Sequence, residues 1–138
     1  TWGGLLSGDN YEKFSLNYIQ KIISSTYTEG VPVIYYSRSK SNFDKLKNLD
    51  IDCIGISSEN NLGDMYKFFD EKFAIQGNLN TDILRENKDT IKKEVIKTLE
   101  TFPFETGHVF NLGTGITPDI HPDKVSYLVD QVRELSVK

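Results

Sequence analysis

The chain has 138 residues, 16 basic and 20 acidic side chains, a formal net charge of -4, and 38% hydrophobic and 12% aromatic residues. That is the size of one domain with enough apolar mass for a core, so disorder by composition is excluded. There is no apolar run near the roughly 20 residues a membrane span needs, no basic stretch leading an apolar signal segment, and no basic stripe. Three arginines (Arg38, Arg85, Arg133) and thirteen scattered lysines do not make the concentrated face that nucleic-acid binding requires. The expectation is a cytoplasmic globular unit spanning residues 1–138, with neither nucleic acid nor membrane as partner.

The chain opens on Thr1-Trp2-Gly3-Gly4, which reads as the interior of a fold and suggests a piece of something larger. In the first helical stretch Phe14, Tyr18 and Ile22 share a face, and Asp9 with Glu12 resembles a capping box. Residues 31–37 (VPVIYYS) read as a strand. Ser41 with Asp44 opens a second helix with Phe43, Leu46 and Leu49 inward. Residues 52–57 (DCIGIS) form the next strand, followed by a Leu62, Met65, Phe69 stripe. Residues 73–77 (FAIQG) and His108–Leu112 (HVFNL) complete four strands, separated by Ile91, Val95, Leu99 and Phe102 at helical spacing. The last helix carries Val125, Val129, Val132 and Leu135, with Pro122 suited to its first turn. Short apolar strands alternating with helices predict a parallel α/β sheet with right-handed crossovers, its strands buried on both faces. The aromatic and methionine positions read as core, and the Gly-Asn and Asn-Asn clusters as turns.

In parallel α/β folds ligand sites gather at the carboxyl ends of strands. Here those ends are Tyr36-Ser37, Ser57-Ser58, Gln76-Gly77-Asn78 and Asn111-Leu112-Gly113-Thr114-Gly115. The last brings two glycines to a strand end, with the next helix delayed by Pro118 and Pro122. By itself this reads as a tight loop needing positive φ rather than a phosphate cradle, since no complete Gly-x-Gly-x-x-Gly is present. His108 falls at the start of its strand and reads as a structural histidine. His121, directly before Pro122, reads equally as a site residue or as a helix-start residue. Cys53, the single cysteine, reads as a small core residue and cannot form a multi-thiolate metal site alone. No catalytic triad emerges.

Taken together, Thr1-Trp2-Gly3-Gly4-Leu5-Leu6-Ser7, Tyr11-Glu12-x-Phe14-Ser15-Leu16-x-Tyr18, Gly30-Val31-Pro32-Val33-Ile34, Gln76-Gly77-Asn78-Leu79 and Gly107-His108-Val109-Phe110-Asn111-Leu112-Gly113 resemble the C-terminal part of uroporphyrinogen decarboxylase. The resemblance covers essentially the whole chain. It implies the C-terminal half of a TIM (β/α)8 barrel, since a complete barrel takes about 250 residues. It also implies removal of carbon dioxide from the four acetate side chains of uroporphyrinogen to give coproporphyrinogen, without metal or organic cofactor. The raw edges and open face of a half-barrel lead separately to the expectation of self-association, most simply as a homodimer.

By the same resemblance Thr1 and Thr114 are substrate-binding residues. Thr1 falls on the family's Ser/Thr before W-G-G, and Thr114 replaces the substrate-contacting histidine of the family's N-L-G-H-G. Gly55-Ile56-Ser57-Ser58-Glu59 departs from the family's G-L-D-W-T, and Asn80-Thr81 replaces its common D-P. The family's central aspartate and arginine cluster lie in its N-terminal half, so no catalytic residue is expected in this chain, which is expected to be inactive alone. Two other readings fit the alternation. One is a free-standing flavodoxin-like binding module. The other is a related methyltransferase, whose His and Cys zinc site the lone Cys53 cannot supply.

Overall fold

The computed structural model describes residues 2–25, 30–38, 42–102 and 107–136, without the side chains of Trp2 and Ser37. A 3₁₀ turn, Trp2–Leu5, leads into one continuous helical stretch made of α1 (Gly8–Tyr11), a π-helical segment (Glu12–Leu16) and α2 (Asn17–Ser25). Then come β1 (Ile34–Ser37), α3 (Phe43–Leu46), β2 (Cys53–Ile56), α4 (Leu62–Phe68), β3 (Ala74–Leu79), a 3₁₀ helix (Thr81–Arg85), α5 (Lys88–Glu100), β4 (His108–Leu112) and α6 (Pro122–Ser136). All four strand positions agree with the sequence reading, with ends shifted by up to three residues in the first three.

The sheet is parallel throughout, in the order β1-β2-β3-β4. Right-handed crossovers that always step in the same direction place every helix on the same face, which is how a barrel wall is built. A flavodoxin-like sheet requires a reversal of strand order with helices on both faces, and no reversal occurs among the described strands. Side chains alternate across the sheet. Ile54, Ile56, Ile75 and Leu79 point to the helices and are almost completely buried.

On the other face, the register aligns Tyr36 with Gly55, Gly55 with Gln76, and Gln76 with Val109. This face is open: Ile34 is 50% and Val109 42% exposed. The expectation of strands buried on both faces is therefore corrected for β1 and β4, because helices cover only one side.

The core runs under the helices in two clusters. The first joins Tyr11, Leu16, Phe43, Leu46, Leu49, Leu62 and Met65 to β2 and β3, with Phe69 meeting Phe43 and Phe73 edge to face at 6.0 and 5.4 Å. The second packs Ile91, Val95, Leu99 and Leu128 against Leu79 and Leu84. The inward stripes expected for α3, α4 and α5 are all buried. Three asparagines start helical segments: Asn61, Asn80 and Asn87 accept the N–H groups of Asp64, Asp82 and Thr90 at 3.0, 3.1 and 2.9 Å, the usual N-cap chemistry. Among the described residues no helix is long and apolar enough to cross a membrane.

Three expectations change. Phe14, Tyr18 and Ile22 are 59%, 58% and 63% exposed, and the buried stripe on that stretch is Tyr11 and Leu16 with Ile19 and Ile23 packed beside them. In α6, Leu128 is buried and Val129 faces out. Ser7, not an Asp9–Glu12 box, occupies the N-cap of α1, without a side-chain cap bond. Ser41 lies outside the described residues, and Asn42 precedes α3 in a left-handed conformation, φ 68°.

Candidate functional site

The carboxyl ends of the strands converge on a cavity of about 400 Å³ lined by Tyr36, Arg38, Gln76, Asn111, Leu112, Gly113, Thr114, Gly115 and Ile116. Each side chain is placed by the sheet. Tyr36 and Gln76 flank Gly55 on the open face, and a Cβ on Gly55 would come within 3.0 Å of the Tyr36 ring. Asn111 pairs with Asn78 in the neighbouring strand, whose side-chain amide donates to the carbonyls of Ser57 and Asn60 at 2.9 and 2.6 Å. The loop after β2 is thereby stitched to β3.

The glycine-rich loop after β4 is held at three points. Gly113 N–H donates to Leu79 O at 2.8 Å, Tyr36 Oη donates to Gly113 O at 2.7 Å, and Thr81 Oγ1 lies 3.0 Å from Thr114 O. Gly113 is required by crowding rather than by a positive φ, because an added Cβ would sit 2.3 Å from Ser58 N. The expectation of a positive-φ loop is thus corrected. The glycine that does need its conformation is Gly77, with φ +141° and Ile56 O 2.9 Å from any added Cβ.

Electrostatics are mild. Burial pushes the Tyr36 phenol above its ordinary value, with Arg38 pulling it down and Glu59 pushing it up. His108 stacks on Phe102 at 4.9 Å and bonds through Nε2 to Gly77 O at 2.8 Å, and burial lowers its pKa. It behaves as the structural histidine the sequence suggested. His121 Nδ1 accepts the Asp123 N–H at 3.3 Å, which favours its reading as a helix-start residue. Cys53 is buried, and its thiol is pushed up to about 11, first by burial and then by Asp52.

Of the two expected substrate-binding residues, Thr114 lines the cavity, and Thr1 lies outside the described residues. Two further residues, named in the sequence only as a strand end and as a departure from the family's motif, had been given no role. Tyr36 and Thr81 meet the β4 loop from 77 and 33 residues away, contacts that no local pattern announces.

The comparisons decide the family. The family model described as uroporphyrinogen decarboxylase (URO-D) matches residues 1–135. The chain belongs to the uroporphyrinogen decarboxylase family. Its fold accordingly corresponds to part of a TIM barrel: four parallel strands alternating with helices. Among curated relatives named uroporphyrinogen decarboxylase, one from Pseudomonas putida (strain F1) is 36% identical over 143 residues, covering 100% of this chain and 40% of the relative. One from Legionella pneumophila (strain Corby) is 35% identical, covering 99% of this chain and 40% of the relative. One from Vesicomyosocius okutanii is 38% identical with the same coverage, 99% and 40%. The chain thus spans about 40% of the length of the curated relatives it matches.

Proposed function

We propose that this chain forms the C-terminal part of the substrate cleft of a uroporphyrinogen decarboxylase, a carboxy-lyase that converts uroporphyrinogen to coproporphyrinogen in haem biosynthesis. The observation that carries the reading is the family match over residues 1–135, in which the G-H-V-F-N-L-G run builds β4 and delivers Asn111, Gly113 and Thr114 to the cavity.

Loss of carbon dioxide from an acetate on a pyrrole leaves an electron pair that needs a sink. Protonating the pyrrole at carbon supplies that sink, and a nearby carboxylate stabilises the cation that results. The substrate's carboxylates call for arginine forks. This chain offers Arg38 at the cavity and, among the described residues, no carboxylate in its lining. Its part is therefore to bind and orient, with Thr1 and Thr114 as substrate-binding residues, and the proton chemistry falls to the rest of the barrel.

The reading takes residues 1–138 as one structural unit and the protein as a cytoplasmic homodimer. The exposed Phe14, Tyr18 and Ile22 stripe and the open sheet face favour association with further polypeptide, as large apolar patches do. The experiment is direct. The full-length protein, incubated with uroporphyrinogen without oxygen, releases coproporphyrinogen, whereas the 138-residue chain alone releases none above background. No product from the full-length protein would overturn the reading, and sustained turnover by the isolated chain would overturn the assignment of the proton chemistry elsewhere.

A further inference from the structure

Most side chains lining the cavity are polar, and its two apolar ones, Leu112 and Ile116, differ in direction. Leu112 packs against the second core cluster beneath the helices, whereas Ile116 is 48% exposed. An exposed isoleucine standing singly on a surface needs no account. This one stands in a cavity wall, and the chain is pinned on both sides of it.

Upstream, Gly113 N–H donates to Leu79 O at 2.8 Å, and Thr81 Oγ1 lies 3.0 Å from Thr114 O. Downstream, Arg85 Nη2 donates to Thr117 Oγ1 at 2.8 Å, and Arg85 Nε and Nη2 donate to the Asp119 carboxylate at 2.8 and 3.3 Å. That carboxyl is lowered to about 2, first by the Arg85 hydrogen bond, so it is ionised at neutral pH. Thr81 and Arg85 are the two ends of one 3₁₀ helix, which is itself fixed by Leu84, 1% exposed in the core. One short segment therefore grips the β4 loop on either side of Gly115 and Ile116 and leaves a bridge of two residues between its anchors. Gly115 has nothing within 4 Å of an added Cβ, so packing around it does not locate this bridge. The anchors do.

We propose that Ile116 is a substrate-binding residue that gives the ligand an apolar contact at the cavity wall, and that Arg85 is the positioning residue that sets where Ile116 stands. The proposal deepens the decarboxylase reading and rests on it. A tetrapyrrole is a macrocycle of apolar ring faces bordered by carboxylate side chains. Arg38 is the cation in the lining that such a border calls for, and a ring face or a side-chain methylene is what a half-exposed isoleucine can cover. Arg85 is suited to its part because a planar fork engages Thr117 and Asp119 at once, which a single ammonium does not. Its network is exposed and adds little to global stability, so its loss is felt at the loop rather than throughout the fold.

Two measurements on the full-length protein test this. Hydrogen exchange read by mass spectrometry compares wild type with Arg85→Gln. Over residues 115–121, where Ile120 N–H donates to Thr117 O at 3.2 Å, exchange is expected to speed by about threefold or more, and over β3 and β4 to stay within about twofold. Equal acceleration in the strands, or none in the loop, overturns the positioning role. In steady-state decarboxylation, Ile116→Ala raises KM by about three- to tenfold with kcat held within about twofold, as loss of a contact made equally in ground and transition states does, and Ile116→Leu recovers most of that loss. Arg85→Gln raises KM by a similar factor, and Arg85→Lys recovers part of it. Added to Ile116→Ala, Arg85→Gln raises KM by less than about twofold further, because the side chain it positions is gone. A wild type that turns over with KM unchanged in Ile116→Ala overturns the contact and leaves the decarboxylase reading standing, and effects that multiply in the double variant overturn the link between Arg85 and Ile116. A wild type without turnover overturns the decarboxylase reading and the ligand assigned to Ile116 together, while the exchange comparison decides the hold of Arg85 on the loop by itself.

Discussion

Gly113 is packed so closely on Ser58 that a methyl group added to it would lie 2.3 Å from the Ser58 amide nitrogen and 2.7 Å from its Cβ. The backbone of the β4 loop is thus in contact with the backbone that follows β2, two strands away in the sheet. Gly113→Ala must push these segments apart and should destabilise the protein by about 1–3 kcal/mol, the usual cost of overpacking. Gly115 has nothing within 4 Å of an added Cβ, so Gly115→Ala should shift the denaturant midpoint little. Equal midpoints for the two variants would show that the Gly113 contact yields without cost.

A second prediction concerns acid. Arg85 Nε donates to Asp119 Oδ2 at 2.8 Å, Arg85 Nη2 donates to Thr117 Oγ1 at 2.8 Å, and the same guanidinium pairs with Asp82. The Arg85 hydrogen bond, followed by that from Thr117, holds the Asp119 carboxyl down at about 2. A pKa lower in the folded than in the unfolded chain means that the stabilisation is present above about 3.9 and is lost as pH falls toward 2. Asp119→Asn should therefore flatten the stability profile between those limits and leave the slope above pH 5 unchanged. The network is exposed, so added salt should shrink the difference. Parallel wild-type and variant acid titrations, followed by circular dichroism, check this, and identical pH profiles would refute the assignment.

Cys53 gives a third. A buried thiol held near 11 has almost no thiolate at pH 8, and the thiolate is the reactive form. Alkylation of the Cys53 peptide, read by mass spectrometry, should proceed only as fast as the surrounding β2 opens. Rapid labelling under native conditions would show that the thiol is accessible.

The helical stretch at the start of the chain gives a fourth. Leu16 is buried and Tyr18 is largely exposed. Leu16→Ala should cost about 2–4 kcal/mol through lost burial and the cavity left behind, and Tyr18→Ala less than about 1 kcal/mol in the isolated chain. If Tyr18→Ala costs as much as Leu16→Ala in the full-length protein, then further polypeptide covers that face there.

This last contrast shows where sequence reading reached and where it stopped. Helical spacing correctly grouped Phe14, Tyr18 and Ile22, but periodicity identifies a face without saying which face is inward. This stretch has two apolar stripes, and Tyr11 and Leu16 won the core. The same ambiguity moved the inward stripe of α6 from Val129 to Leu128. Strand positions were legible because β-branched and apolar runs are local, and the site's location followed from the rule that ligands meet strand carboxyl ends. Thr114, which lines the cavity, was singled out through a motif. Tyr36 and Thr81 were not given roles, since their bonds to the β4 loop span 77 and 33 residues of sequence and exist only once the sheet has formed.

Gly55 lies between Tyr36 and Gln76 on the open face of the sheet, and the Tyr36 ring leans to within 3.0 Å of the place a Cβ would occupy. Gly55 is buried beneath them, with the Gln76 amide nitrogen 3.5 Å from the same place. A side chain on Gly55 would lift the ring and the amide off the sheet and into the cavity that both of them line. What β2 leaves out at that one position lets two long side chains lie down across the strands, and the headroom above the sheet is the thickness they do not take up.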